Sequence, residues 1–181
     1  MKAIEWRDAP DAEFAVLGDP IAHSLSPTLH RAAYDALGLP WRFVALRVPL
    51  EDARDALDHL AARGYRGASV TLPLKAEALA WAERIDPYAE RIGAANTLDF
   101  QTRSASNTDA PGFLETLAPL NLDRSRPVLL LGAGGSARAI AVALTDAGFT
   151  LRVWNRTPER GGQVRAEVKG GGEGGGLADP T

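Results

Sequence analysis

PVLLLGAGGSARAIAVALTDAG, from Pro127 to Gly148, decides the fold. Pro127 to Leu131 is a short, almost wholly apolar run of the kind that fills a buried parallel strand. Gly132, Gly134 and Gly135 follow at once, and a helix is expected from about Ser136 to Ala147, with Gly148 ending it. A strand, a glycine loop and a helix in that order present backbone N–H groups and a helix N-terminus to a pyrophosphate, here through Gly132, Ala133, Gly134, Gly135, Ser136 and Ala137. The loop reads GAGGSAR, with Ala137 where the third glycine of GxGxxG would stand, and a plain strand-to-helix turn is the alternative reading.

Beyond the helix, Thr150 to Trp154 reads as the next strand and ends in Asn155, Arg156 and Thr157. An NAD site carries an acidic residue about twenty residues after its glycine loop, to bind the ribose 2′-hydroxyl. No acid stands there. Arg156, with Arg160 one turn further on, instead suits a 2′-phosphate, because the guanidinium fork matches phosphate oxygens. Both could also be surface arginines, but with the glycine loop upstream the expected cofactor is NADP. Residues 161–181 hold eight of the eighteen glycines and few apolar side chains, so this tail is expected to lack order. The nucleotide half therefore reads as one strand, helix and strand of a doubly wound domain. Apolar positions such as Leu151 and Val153 are expected to be poorly covered, which leaves pairing into a homo-oligomer open.

Toward the N-terminus, strands and helices alternate. Phe14 to Leu17 is a strand, Pro27 starts a helix with His30, Ala33, Tyr34 and Leu37 on one face, and Arg42 to Val48 is a strand. Asp52 to Ala62 is a helix, Ser69 to Thr71 ends a strand, Gly93 to Phe100 is loop and strand, and Gln101 to Asn107 is a turn. A helix follows Asp109 to near Leu117. Such alternation predicts an α/β fold with parallel strands. The expected organisation is an N-terminal α/β substrate domain at 1–122, an incomplete Rossmann-like NADP-binding domain at 123–160 and the Gly-rich tail at 161–181.

Two stretches in the first domain place chemistry where strands end. In GDPIAHSLSPTLHR, Gly18 to Arg31, Ser24 and Ser26 precede Pro27, with Ser26 set to cap the helix and Ser24 left to face a ligand. In GASVTLPLK, Gly67 to Lys75, the strand breaks at Pro73 and delivers Lys75 to the next helix start. Lysine is scarce: Lys2, Lys75 and Lys169 stand among twenty basic residues. Lysine can move a proton when its surroundings tune it, whereas arginine stays charged. In SNTDAPGF, Ser106 to Phe113, Asp109 opens another helix, where it is either a dipole-favoured cap or an acid/base partner for Lys75 across a cleft.

With GAANT at Gly93 to Thr97 and NRTPER at Asn155 to Arg160, these motifs stand in an order and spacing that resembles the shikimate dehydrogenases over roughly residues 13 to 160. The resemblance implies an NADP-dependent oxidoreductase interconverting shikimate and 3-dehydroshikimate in aromatic amino-acid biosynthesis. By motif, it implies substrate contacts from Ser24, Ser26, Thr71, Lys75, Asn96 and Asp109, with Lys75 and Asp109 catalytic. Ser69 stands where the family pattern GxNVTxPxK has asparagine. A quinate/shikimate dehydrogenase with another cofactor preference and a non-catalytic shikimate-binding fragment are the alternatives. The expected partner is thus a small molecule.

Composition bounds the rest. A net charge of −3 gives no electrostatic case for nucleic acid or an anionic membrane. The absence of cysteine excludes disulfide and thiolate chemistry, and His23, His30 and His59 form no metal-ligand spacing. No apolar run approaches a membrane span or a signal-peptide core, so a cytoplasmic protein is expected.

Overall fold

The computed structural model describes residues 4–159, 161, 162 and 164. The chain divides into two compact units, residues 1–90 with 94–106, and residues 91–93 with 107–181. In the first unit, β1 (Ile4–Glu5), β2 (Phe14–Gly18), β3 (Phe43–Arg47), β4 (Gly67–Val70), β5 (Arg84–Ile85), β6 (Thr97–Asp99) and β7 (Ser104–Ser106) form one sheet in the order β1-β3-β2-β4-β6-β7-β5. The helices α1 (Ser26–Leu37), α2 (Ala53–Ala62) and α3 (Lys75–Trp81) follow β2, β3 and β4, and α4 (Pro87–Ile92) follows β5.

β1, β3, β2 and β4 run parallel, as alternation with helices predicts, but β6 is antiparallel to β4 and β7 is antiparallel to β6. The sheet is therefore mixed. The polar stretch read as a turn to Asn107 is a turn only in its first half. Asp99 Oδ1 accepts the N–H groups of Gln101 and Thr102 at 2.8 and 3.0 Å, and Arg103 takes a left-handed φ of 50°. So short a reversal leaves no room for a crossover helix, and the returning strand must pair antiparallel.

Period-2 alternation sets the two faces. Ala15, Leu17, Leu46, Ala68, Val70, Leu98 and Ala105 pack with Leu57 and Leu60 of α2 and Ala78 and Trp81 of α3 in one buried core. On the opposite face, α1 lies over β2 and β3: Tyr34 meets Phe14 with ring centroids 6.2 Å apart, and His30 stacks flat on Phe43 at 4.0 Å. Burial holds the His30 imidazole below its ordinary pKa by disfavouring the charged form. The inner face of α1 is narrower than its sequence predicts. Pro27 and Tyr34 are buried and His30 is half-buried, whereas Ala33 is exposed and Leu37, in the last turn, is 72% exposed.

A charged clasp joins the start of the unit to α2. Trp6 Nε1 donates to Asp52 Oδ2 at 3.1 Å, and Arg7 donates to both Asp52 oxygens at 2.9 and 3.1 Å. The hydrogen bonds from Arg7 and Trp6 hold the Asp52 carboxyl below its ordinary pKa. A depressed carboxylate stabilises the fold above its unfolded pKa and loses that contribution as pH falls through the folded value. Acid unfolding of Asp52→Asn, followed by circular dichroism, is therefore expected to lose part of the wild-type dependence on pH below about 4. Identical acid limbs for the two proteins would remove the clasp from the account.

The second unit contains α5 (Asp109–Leu117), β8 (Val128–Leu131), α6 (Gly135–Asp146) and β9 (Leu151–Trp154), with β8 and β9 parallel and Val128 opposite Leu151. This is the strand, glycine loop, helix and strand that the sequence predicts. α5 packs on α6 and belongs to this unit, so the contact boundary lies at 106/107 and not near 122. The expected poor cover of Leu151 and Val153 is overturned: they are 0% and 2% exposed. The open side of the two strands is the other one, where Leu129, Leu131 and Trp154 are 61%, 69% and 58% exposed. Gly161, Gly162 and Val164, assigned from sequence to an unordered tail, are helical, and Val164 is buried. The rest of that tail lies outside the described residues, as does Arg160. Among the described residues no helix is long and apolar enough to cross a membrane.

Candidate functional site

Because β2 and β4 are parallel neighbours, their carboxyl ends open on the same edge, the edge at which open α/β sheets bind ligands. Each strand runs into a loop bearing a cis proline, at Asp19–Pro20 and Leu72–Pro73. The loops are laced together, with Thr71 N–H donating to Leu17 O at 2.9 Å and Asp19 N–H to Leu72 O at 3.1 Å. That approach needs glycine at position 18. A Cβ there would stand 2.6 Å from Thr71 Cγ2 and 3.0 Å from the Leu72 carbonyl oxygen.

Thr71 leaves β4, and Lys75 opens α3 one turn later. The Lys75 carbonyl accepts Ala95 N–H at 2.8 Å, and the Asn96 carbonyl accepts Val70 N–H at 2.7 Å. Backbone bonds therefore bring Thr71, Lys75 and Asn96, all half-buried, to one edge of the first unit. The loop after β2 supplies Ser24 and Ser26, and their roles exchange relative to the sequence reading. Ser24 Oγ accepts Ser26 N–H at 3.3 Å, while the N-cap position is Leu25 and Ser26 makes no side-chain cap. Leu25 already has helical φ and ψ of −89° and −4°, so the chain turns early and the upstream serine meets the first free donor.

Ser69 lies on the sheet face opposite Ala68 and Val70, in register between Val16 and Thr97. There it lines a groove of about 260 Å³ with Phe14, His30, Tyr34, Phe43 and Thr97. Thr97 Oγ1 donates to Asn96 Oδ1 at 2.9 Å.

In the second unit, Asp109 opens α5 and is half-buried. Its N–H donates to Asn107 Oδ1 at 2.9 Å, and Asn107 is only 3% exposed. Asn107 is absent from the sequence-based site. Its signal was an asparagine two residues before a helix-opening aspartate, the spacing of a local side-chain-to-backbone turn.

Between β8 and α6, Gly132 takes φ +119° and donates its N–H to Trp154 O at 2.8 Å. Gly134 is the extended N-cap of α6 and, as glycine, brings no capping side chain of its own. A helix start behind a glycine turn suits a phosphate. After β9, Asn155 Nδ2 donates to Thr157 O at 2.8 Å, and Arg156 is exposed. The residues present thus fit the diphosphate and 2′-phosphate of an NADP-like dinucleotide.

Residues 16–98 match the family model described as the shikimate dehydrogenase substrate binding domain. The chain is 50% identical over 149 residues to the shikimate dehydrogenase (NADP(+)) of Thermus thermophilus, covering 81% of this chain and 56% of that protein. It is 45% identical over 157 residues to the enzyme of the same name from Methanococcoides burtonii, covering 86% and 58%. The crystal structure of the Thermus thermophilus enzyme with NADP(H) and shikimate superposes with a TM-score of 0.82 at 44% identity, covering 94% of this chain and 63% of that one. The chain thus spans 56% to 63% of the length of these relatives.

Proposed function

The chain belongs to the shikimate dehydrogenase family, and from that premise we propose that it takes part in the NADPH-dependent, reversible reduction of 3-dehydroshikimate to shikimate in the shikimate pathway. One observation carries the proposal. Hydroxyl, ammonium and carboxamide groups from Ser26, Thr71, Lys75 and Asn96 belong to the same unit, and backbone bonds tie Thr71 to Leu17 and Asn96 to Val70, at the carboxyl ends of β2 and β4, and Lys75 to Ala95, the neighbour of Asn96. A polyhydroxylated ring acid needs such a set of short polar groups around it to fix which carbon reacts.

In this reading Ser24, Ser26, Thr71 and Asn96 orient the ring hydroxyls and carboxylate. The Lys75 ammonium donates to the C3 oxygen and passes a proton to it as negative charge develops there, and the Asp109 carboxylate works with Lys75 in that transfer. NADPH, when bound, supplies the hydride. Gly132, Ala133, Gly134, Gly135, Ser136 and Ala137 would hold its diphosphate, and Asn155, Arg156, Thr157 and Arg160 its 2′-phosphate end. A second reading, a shikimate binder with little turnover, is favoured by the sheet of the second unit, which has only two strands among the described residues.

Calorimetric titration with shikimate, followed by NADPH absorbance with 3-dehydroshikimate present, tests both. Shikimate binding without NADPH consumption selects the second reading, and absence of shikimate binding refutes both. In whichever arm NADPH binds, Arg156→Ala should weaken NADPH and leave NADH nearly unchanged, because only NADPH has the 2′-phosphate. Equal losses for the two cofactors would remove Arg156 from that role.

A further inference from the structure

We infer that the amino-terminal edge of the first sheet carries a phosphate-binding cleft built on Arg42 and Arg66. β2, β3 and β4 are parallel neighbours, so their amino ends share one edge as their carboxyl ends share the other. The length of β2, about 13 Å, separates this edge from the loops that carry Thr71 and Lys75. At the amino edge, Phe14 N–H donates to Arg42 O at 3.1 Å and Arg66 N–H donates to Glu13 O at 2.8 Å. Arg42 and Arg66 thus enter β3 and β4 on either side of the entrance to β2. They line a cleft of about 560 Å³ with Trp41, Arg63, Asp11 and Glu13.

The two acids in the cleft are already engaged. Arg63 donates to Asp11 Oδ1 at 2.8 Å, and Glu13 Oε2 accepts the Arg42 N–H at 2.7 Å. Among the described residues, the guanidinium groups of Arg42 and Arg66 make no ion pair, and both side chains are exposed. Arg66 is nevertheless held in place: its guanidinium lies 4.9 Å from the Trp41 ring centroid and 5.7 Å from that of Phe14. Trp41 is fixed in turn by edge contacts with Phe14 at 5.4 Å and Tyr34 at 5.5 Å. A guanidinium resting on aromatic faces keeps its N–H fork directed outward, and that fork matches phosphate oxygens. A phosphate group carries close to two negative charges at neutral pH, the complement of two unpaired arginines. The ligand is therefore free phosphate or a small phosphomonoester.

The test is titration of the 181-residue protein with inorganic phosphate and, separately, with glycerol phosphate, followed by amide chemical shifts at constant ionic strength. Residue-resolved shifts separate this cleft from the glycine loop at Gly132 to Ala137, which also suits phosphate. Saturable shifts are expected at Glu13, Arg42 and Arg66. Arg66→Ala should weaken binding there at least tenfold, the worth of one charge-assisted pair, and Arg66→Lys should recover only part of it because the fork is lost. Arg42→Ala should weaken binding as well, whereas Arg31→Ala, on the exposed side of α1, should leave it unchanged. Tighter binding of the ester would assign the site to an organic phosphate, and equal or tighter binding of inorganic phosphate would assign it to the free ion.

A response confined to the glycine loop would overturn the inference. So would shifts at Arg42 and Arg66 that chloride reproduces at the same ionic strength, or an affinity that neither Arg42→Ala nor Arg66→Ala lowers.

Discussion

Replacing Lys75 with alanine is expected to lower turnover by roughly 10²- to 10⁴-fold, the range of a positioned acid or base, while shikimate affinity falls far less. The asymmetry follows from when the interaction is made. An ammonium at the C3 oxygen gains most as that oxygen becomes an alkoxide, so its removal is felt in the transition state. Asp109→Asn should also slow the reaction. If the two side chains act as one unit, the double variant loses less than the product of the single losses, and strict additivity would separate them. Should the 181-residue protein turn over too slowly to read, the same substitutions are measured in a chimera that continues after residue 159 with the Thermus thermophilus sequence, so that both residues still come from this chain. Unchanged turnover in Lys75→Ala there would end its assignment as the proton donor.

The second large effect is expected from Gly18→Val. Even a bare Cβ at position 18 falls 2.6 Å from Thr71 Cγ2, 3.0 Å from Leu72 O and 3.2 Å from Ile21 Cδ1, so valine forces the two strand ends apart. Overpacking of this kind costs about 3 kcal/mol, which for a unit of this size lowers the melting temperature by about 14 °C. Because the displaced atoms belong to the loop that carries Thr71, shikimate binding should fall together with stability. Gly18→Ala should show the same losses in smaller measure. A melting temperature unchanged in the valine variant would mean that β2 and β4 do not end in close contact.

What was legible in the sequence was whatever a local pattern could encode. The glycine loop and α6 emerge as predicted because turn and helix there each follow from neighbours in sequence, whereas the apolar run before Gly132 forms the expected parallel strand but not a buried one, Leu129 and Leu131 lying exposed on its open face. β7 was not legible. Ser104, Ala105 and Ser106 have weak strand propensity, and they form a strand because β6 offers a partner and Ala105 finds the core. The same limit applies to the antiparallel half of the sheet, whose direction is decided by the tight reversal after Asp99. At the site, the positions of Thr71, Lys75 and Asn96 relative to one strand edge come from long-range backbone bonds, which no spacing rule contains. The two serines before Pro27 were found, but which of them would serve the helix depended on the backbone angles of Leu25. Asn107 is not legible as a site residue because it acts from a buried position on a backbone group, holding Asp109 N–H, and local spacing does not distinguish that from an ordinary turn asparagine.

The uneven burial of the aromatic side chains gives the protein a built-in optical label. Of its four tryptophans, Trp6 and Trp81 are 6% and 3% exposed and hydrogen-bonded to Asp52 and Asp58, and Trp41 is half-buried, all in the first unit; Trp154 is 58% exposed in the second. Iodide will quench the long-wavelength emission of Trp154 well before it reaches the blue emission of the enclosed indoles. The two units thus carry separable fluorescence without any attached dye, and the indole at the end of β9, two residues from Arg156, reports from the neighbourhood where a dinucleotide would be felt first.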